Sequence, residues 1–148
     1  MNNTSSSPAP FDLDRFLPYR MNVLAHRLST ELADIYETRF NISIPEWRVL
    51  AHLSASSKVS VREIHARVNM DKAKVSRAAA QLEAAGLITK DINPEDRRLV
   101  SLRMTPKGRA LFARIQPLAL DYQSRVLARL SEDEQRQLDA IVTRLLEP

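Results

Sequence analysis

The sequence predicts a mainly α-helical protein with a small β wing, in which N- and C-terminal dimerisation helices frame a winged helix-turn-helix core. Two observations support this fold class. Residues 71–105 carry a helical pattern that ends at Gly86, followed by two short β-forming runs joined by a charged tip. Long apolar stripes with helical spacing lie on both sides of this stretch. We therefore expect residues 71–105 to carry the function and the flanking helices to support them.

The length and composition fit one folded unit. The 148 residues are 44% hydrophobic, which is enough for one domain with a substantial core. Residues 1–10 are rich in Ser, Asn and Pro and are expected to form a disordered tail. Residues 11–148 are expected to form a single domain, with the winged helix-turn-helix at about 45–105 and dimerisation helices at about 11–40 and 106–148. No run of about 18 apolar residues and no signal-peptide core is present, so we expect a cytoplasmic protein with no membrane partner.

The first half of the domain contains three helical patterns and one short strand. The first helix starts near Pro18, or a short leading turn is kinked there, because proline fits a first turn and breaks a helix interior. Ser43 caps a second helix, residues 59–61 form an edge strand, and a third helix runs to Val68. The apolar stripe of the first helix consists of Leu17, Met21, Leu24, Leu28, Leu32 and Ile35.

The fourth helical pattern has one apolar and one polar face. Asp71 caps it, and Gly86 ends it where a left-handed residue is favoured. Its inner face consists of Val75, Ala78, Ala79 and Leu82. The outward side chains are donors suited to phosphates and base edges, and such a helix fits a major groove about 12 Å wide. We predict that double-stranded DNA is contacted by Lys72, Lys74, Ser76, Arg77 and Gln81.

A hairpin and two further helices complete the pattern. The β runs at 87–92 and 99–104 are joined by a polar turn with a basic tip. Thr105 opens a fifth helix, in which Pro117 predicts a kink or a break. A capping box at 131–134 starts the last helix. Its apolar residues are Leu138, Ile141, Val142, Leu145 and Leu146.

The first and last helices carry apolar stripes outside the central unit. If they packed only against each other within one subunit, much of each stripe would remain in water. Apolar burial stabilises by roughly 25 cal/mol per Å², which favours packing against a second copy. We therefore predict a homodimer.

Positive charge is concentrated in one third of the chain. Between Lys58 and Arg109 there are 12 Lys and Arg against 6 Asp and Glu, whereas the other residues carry 10 against 12. A basic solvated surface is the simplest interpretation of such a bias. Because the outward residues of the fourth helix lie within this segment, a nucleic-acid-binding face is favoured.

Five short segments occur in a specific order along the chain. They are Glu46-Trp47-Arg48-Val49-Leu50, Val75-Ser76-Arg77, Leu82-Glu83-Ala84-Ala85-Gly86-Leu87, Asn93-Pro94-Glu95-Asp96-Arg97-Arg98 and Met104-Thr105-Pro106-Lys107-Gly108. With these segments in this order, the chain from about Phe11 to Leu146 resembles the MarR family of bacterial transcriptional regulators. The resemblance implies an α-helical homodimer, triangular in outline, that binds a pseudo-palindromic operator. It also implies recognition helices in successive major grooves and wings in the adjacent minor grooves.

The wing carries the most specific of these matches. Asp96 and Arg98 match the Asp-x-Arg signature of the family, and the resemblance implies that Arg98 enters the minor groove. A narrow A·T-rich groove focuses negative potential and so attracts arginine. Arg97 is an alternative for this role, and Asp96 is expected to orient the arginines. Ala73 and Lys74 depart from the hydroxyl residues common in the family's recognition helix, so the operator sequence does not carry over.

The sequence offers little support for catalysis. His26, His52 and His65 lack metal-ligand spacing, and two glycines in the chain leave no phosphate-binding loop. The absence of cysteine leaves no thiol switch. We therefore expect no enzyme activity, no cofactor and no metal.

The resemblance implies a small aromatic or carboxylate effector, bound between the dimerisation helices and the DNA-binding unit. A guanidinium can clamp a carboxylate with two hydrogen bonds, and Arg20 and Arg27 lie near one face of the first helix. Salt bridges from these arginines to Glu31, Asp34 or Asp121 are an equally good interpretation. The candidate effector residues are Tyr19, Arg20, His26, Arg27, Trp47 and His52.

These observations lead to one main functional hypothesis and two alternatives. The main hypothesis is a sequence-specific transcriptional regulator, usually a repressor, that is released from its operator by an aromatic acid or a related thioester. The first alternative is an architectural DNA-binding protein with little sequence preference and no effector. The second is a small-molecule carrier that has lost DNA binding. The sequence leaves open the effector, the operator, the regulated genes, whether binding represses or activates, and the choice between Arg97 and Arg98.

Overall fold

The computed structural model describes residues 8–56, 58–68 and 70–148 and confirms the predicted fold class. Residues 1–7 of the expected disordered tail lie outside the described residues, and residues 8–10 have no regular secondary structure. A short 3-10 turn precedes the first helix. In chain order the elements are α1 (Leu17–Phe40), α2 (Ile44–Ala55), β1 (Val59–Ser60), α3 (Val61–Arg67), α4 (Lys72–Ala84), β2 (Ile88–Ile92), β3 (Val100–Met104), α5 (Pro106–Leu127) and α6 (Glu132–Leu146).

Local capping explains where most helices begin. Before α2, α3, α4, α5 and α6, one side chain accepts a hydrogen bond from the backbone N–H three residues ahead. These capping residues are Ser43, Ser60, Asp71, Thr105 and Ser131. The predicted capping box of α6 is confirmed, because the Glu134 carboxylate also accepts the Ser131 N–H at 2.8 Å. Each cap typically contributes about 1 kcal/mol.

Two prolines test the predicted bounds of the long helices. Pro18 lies in the first turn of α1, which starts at Leu17 directly after the 3-10 turn. Pro117 lies inside α5, which continues to Leu127, so the prediction of a break at this proline is wrong. A proline in a helix interior costs about 3 kcal/mol, but packing can offset such a cost. Ile115, two residues before it, is fully buried in the core.

The three strands form an antiparallel sheet in the order β1-β3-β2. β1 is the predicted edge strand, and its Val59 pairs with Leu102. β2 and β3 pair from Ile88 with Met104 to Ile92 with Val100. Because Ile88 is buried and Ile92 is 58% exposed, the base of the hairpin lies in the core and its tip projects into solvent.

The core joins the winged helix-turn-helix to the long helices. Leu50 of α2 and Leu82 of α4 are fully buried within it. Trp47 stacks on Tyr36 of α1 and on Phe112 of α5, with 5.4 Å between ring centroids in each pair. Burial raises the pKa of the Tyr36 hydroxyl from its ordinary value of 10.0 to about 12. The aromatic stack therefore connects α1, α2 and α5 at one point.

The ends of the chain leave their apolar stripes uncovered. α6 contains no buried residue, and Ile141 and Leu145 are 54% and 64% exposed. In the first half of α1, Leu17, Met21 and Leu24 are between 45% and 50% exposed. A single chain therefore cannot cover these stripes, as their positions in the sequence predict.

Among the described residues, no helical segment combines the length and the apolar character that a membrane crossing requires.

Candidate functional site

α4 divides its residues between a buried and an exposed face. Val75, Ala78, Ala79 and Leu82 are at most 2% exposed and belong to the core. The small alanines allow close packing of α4 on its neighbours. All five side chains that the sequence predicts to contact DNA are exposed: Lys72, Lys74, Ser76, Arg77 and Gln81. These five residues bring three cations, a hydroxyl and an amide to the surface of one helix, with no carboxylate among them.

The wing tip is ordered by hydrogen bonds to two side chains. Asn93 Oδ1 accepts the Glu95 N–H at 2.9 Å. The Asp96 carboxylate accepts Nε and Nη2 of Arg98 at 3.0 and 3.2 Å, and also the Arg98 backbone N–H at 3.1 Å. These bonds from Arg98 hold the pKa of the Asp96 carboxyl below its ordinary value of 3.8.

The two wing arginines differ in their surroundings. The side chain of Arg98 is bound by Asp96 and is still 80% exposed. Arg97 is exposed and forms no ion pair within residues 8–56, 58–68 and 70–148. Arg62 of α3 also lies near enough to contribute to the low pKa of Asp96. Arg62 belongs to the positively charged segment that starts at Lys58, but no motif in the sequence singles it out.

Three of the candidate effector residues meet at the start of α1. Tyr19, Arg20 and Arg27 line one open cleft of about 340 Å³. Glu31 accepts a hydrogen bond from a tyrosine of α5 at 2.8 Å, and Asp121 pairs with an arginine of its own helix at 3.1 Å. In the part of the chain that the structure describes, neither Arg20 nor Arg27 forms an ion pair. The salt-bridge alternative is therefore not realised within one chain.

The other three candidate effector residues lie elsewhere. Trp47 and His52 line a separate cleft of about 390 Å³ on α2, and His26 lines neither cleft. The ring of Trp47 is already engaged with Tyr36 and Phe112. The structure therefore does not bring the six residues together in one site within a single chain.

Two larger clefts border both α1 and α5. One of about 880 Å³ lies where α1, α2, α4 and α5 meet, and both Gln81 and Lys107 line it. The other is an apolar groove of about 680 Å³ between α1, α5 and α6, with Leu28, Leu120 and Leu138 on its walls. No group of three or more His, Asp or Glu side chains that could hold a metal occurs among the described residues.

An exposed basic helix beside a basic β hairpin, both built on a helix-turn-helix core, defines a winged helix-turn-helix DNA-binding protein. Comparison with known proteins then gives the family. The MarR family profile matches residues 42–100. The chain belongs to the MarR family of transcriptional regulators, whose members bind DNA and dimerise.

Individual relatives agree with this assignment. A MarR/EmrR family transcriptional regulator from Acinetobacter sp. ADP1 is 30% identical, with a TM-score of 0.81 over 91% of this chain and 95% of that chain. The PcaV transcriptional regulator from Streptomyces coelicolor, solved in complex with its natural ligand, is 26% identical, with a TM-score of 0.73 over 93% and 96% of the two chains. The HTH-type transcriptional repressor Rv2887 of Mycobacterium tuberculosis is 27% identical over 131 residues, which cover 88% of this chain and 91% of the relative. These relatives are transcriptional regulators rather than enzymes.

Replacing Arg98 with Ala should raise the pKa of the Asp96 carboxyl towards 3.8, because the guanidinium bonds that favour the carboxylate are lost while the backbone N–H of residue 98 still donates to it. NMR titration of the Asp96 side chain measures the change. The folded-state pKa of Asp96 is depressed. The Asp96–Arg98 pair therefore makes its full contribution to the stability of the wing at pH values above 3.8, and this contribution is lost as the pH falls through the depressed pKa. Arg97→Ala is the matched control and should leave the titration unchanged. Equal shifts in both variants would contradict a direct bond.

Proposed function

We propose that this protein is a transcriptional repressor that binds a pseudo-palindromic operator as a homodimer and is released by a small aromatic acid or a related thioester. The observation that supports DNA binding most directly is the exposed set of donors on α4, three of them cationic, beside the arginines of the wing. The repressor role is supported by the Mycobacterium tuberculosis relative, which is itself named a repressor.

On α4, the longer hydrogen-bonding side chains are proposed to contact base edges and the lysines to contact phosphates. Arginine can bond guanine and glutamine can bond adenine with two hydrogen bonds each in the major groove, which fits Arg77 and Gln81. Ser76 can bond either a base or a phosphate. Lys72 and Lys74 lie in the first turn of α4, where positive charge neutralises phosphates and fixes the position of the protein on the duplex.

In the wing, Arg98 is proposed to enter the minor groove. Asp96 binds its guanidinium and leaves most of the side chain accessible. Arg97 lies next to it and is proposed to contact the flanking phosphates. Operator binding by two such units requires recognition helices roughly 34–36 Å apart, which only a dimer can supply.

The homodimer is proposed from the uncovered apolar stripes. Ile141 and Leu145 on α6 are more than half exposed, and the apolar groove between α1, α5 and α6 is open. A second copy would bury both surfaces at once, at roughly 25 cal/mol gained per Å² of apolar surface.

The effector is proposed to place its carboxylate between Arg20 and Arg27, beside Tyr19. These two guanidinium groups line the same cleft and form no ion pair in the described chain. A bound acid would release DNA only if it binds the DNA-free arrangement of the dimer more tightly than the bound one. His26, Trp47 and His52 remain candidates for effector contacts in the dimer, where surfaces from the two subunits meet.

Selection from a random-sequence DNA pool should enrich a pseudo-palindromic site.

Arg77→Ala should weaken binding to that site by about 1–3 kcal/mol and relax the sequence preference at one position, because a base contact is lost. Lys72→Ala should weaken binding to all sequences equally. It should also reduce by about 1 the slope of log affinity against log salt concentration, which we call the salt slope. Arg98→Ala should weaken binding while the protein stays folded and dimeric, since the side chain is exposed.

Fluorescence anisotropy at several salt concentrations measures all three variants, with thermal melting as the control for folding. Equal affinity of the wild-type protein for every sequence would instead support the architectural alternative. If Arg77→Ala and Arg98→Ala both leave every activity of the protein unchanged, the result would support a small-molecule carrier that does not act on DNA.

Ile141→Asp should convert the protein to a monomer, because it places a charge in the apolar stripe of α6. Sedimentation equilibrium measures the mass. Thr143→Asp adds the same charge on the exposed polar side of the same helix and should leave the dimer intact. A dimeric Ile141→Asp variant would contradict the proposed interface.

Aromatic carboxylic acids and their coenzyme A thioesters should raise the melting temperature of the wild-type protein. A ligand present at 100 times its dissociation constant stabilises by about 2.7 kcal/mol. Arg20→Ala and Arg27→Ala should lose the response, whereas Arg15→Ala, which removes a nearby charge outside the cleft, should keep it. An undiminished response in the first two variants would exclude this cleft.

A further inference from the structure

The end of α4 is bonded to the start of α5 at three consecutive carbonyl groups, which we call the α4–α5 joint. Lys107 Nζ donates to the Ala85 carbonyl at 2.8 Å. Thr105 Oγ1 donates to the Gly86 carbonyl at 2.7 Å, and the Thr105 N–H donates to the Leu87 carbonyl at 3.0 Å. The first turn of α5 and the residue that caps it thus bind the whole segment by which the chain leaves α4.

Gly108 allows the two segments to approach this closely. An added Cβ at Gly108 would lie 2.1 Å from the Leu87 carbonyl oxygen and 2.7 Å from Met104 Cγ. Gly86, at φ +74°, turns the chain out of α4 in the left-handed conformation that favours glycine. The backbone contacts therefore set where α4 and α5 meet, and Lys107 adds a bond at the C-cap residue of α4.

The bond from Lys107 has an electrostatic reason as well. Ala85 is the C-cap of α4, and the carbonyl end of a helix carries partial negative charge. α4 has no basic residue in its own last turn. Lys107 therefore supplies from α5 the cation that the C-terminus of α4 favours. Along the chain the two helices are separated by the wing strands β2 and β3.

We propose that Lys107 is a positioning residue for α4: its ammonium group fixes the direction of α4 relative to α5, and through α5 the separation of the two recognition helices in the dimer. The last step rests on the proposed function. α5 has 22 residues and is about 33 Å long, so a small rotation at the joint becomes a large displacement at its far end. Gln81 and Lys107 line the same cleft, so the joint also borders a side chain proposed to contact bases.

The first experiment needs neither DNA nor the dimer. The chain contains no cysteine, so Ala80→Cys on α4 and Ser124→Cys on α5 provide two spin-label sites, both at exposed positions. Labelled protein is diluted with unlabelled protein, and pulsed EPR measures the distance between the labels within one chain. Lys107→Met should broaden this distance distribution, and Lys107→Arg should restore the narrow one.

Arg39→Met is the matched control for loss of one exposed charge, and it should leave the distribution unchanged. An unchanged distribution in Lys107→Met would overturn the proposal. Global unfolding of Lys107→Met would overturn it too, because it would show a structural role.

The second experiment tests the consequence for DNA. Wild-type protein should discriminate between the selected operator and versions with one base pair added or removed between the half-sites. Lys107→Met should lose this discrimination with an unchanged salt slope, whereas Lys72→Met should lower the slope by about 1 and keep the discrimination. A lower salt slope with normal discrimination in Lys107→Met would identify a phosphate contact and overturn the proposal. If the wild-type protein selects no sequence, the proposed function fails, and the EPR result still decides the role of Lys107.

Discussion

The burial of one face of α4 is the constraint on which the rest of this structure depends. Ala78 and Ala79 are 2% and 1% exposed, and Leu82 is fully buried. Once this face is held in the core, the helical period leaves the outer residues only one direction, which is towards solvent. The exposure of Arg77 and Gln81 therefore follows from the packing of their neighbours. It does not depend on any contact that these two side chains make themselves.

α5 links this packed unit to the uncovered part of the molecule. Its first turn closes the α4–α5 joint, its Phe112 packs on Trp47, and its second half lines the open groove beside α6. A chain with so much apolar surface on α1 and α6 gains stability when that surface is covered. One continuous helix therefore reaches from the α4–α5 joint to the open groove beside α6.

The sequence predicted what is decided by neighbouring residues. A cap such as Asp71 lies three residues from the N–H that it accepts, and the wing strands follow each other along the chain, so both leave a local pattern. The candidate effector residues depend instead on distant packing, and Arg20 and Trp47 lie in separate clefts. Lys107 was missed because its partner is a backbone carbonyl, and Arg62 because the carboxylate whose pKa its charge lowers lies in the wing. Neither relationship leaves a periodic signal.

The geometry of the wing bears on which arginine suits a minor groove. An exposed ion pair such as Asp96–Arg98 contributes little to stability, because water solvates both groups and salt screens them. It does restrict the rotamers of a long side chain, which lowers the entropy lost on binding. Asp96 takes two of the five N–H donors of the guanidinium and leaves three for another partner. Asp96 and DNA therefore need not compete for Arg98. Arg97 forms no ion pair in the described chain and would lose more freedom on binding, so we propose Arg98 rather than Arg97 for the minor groove.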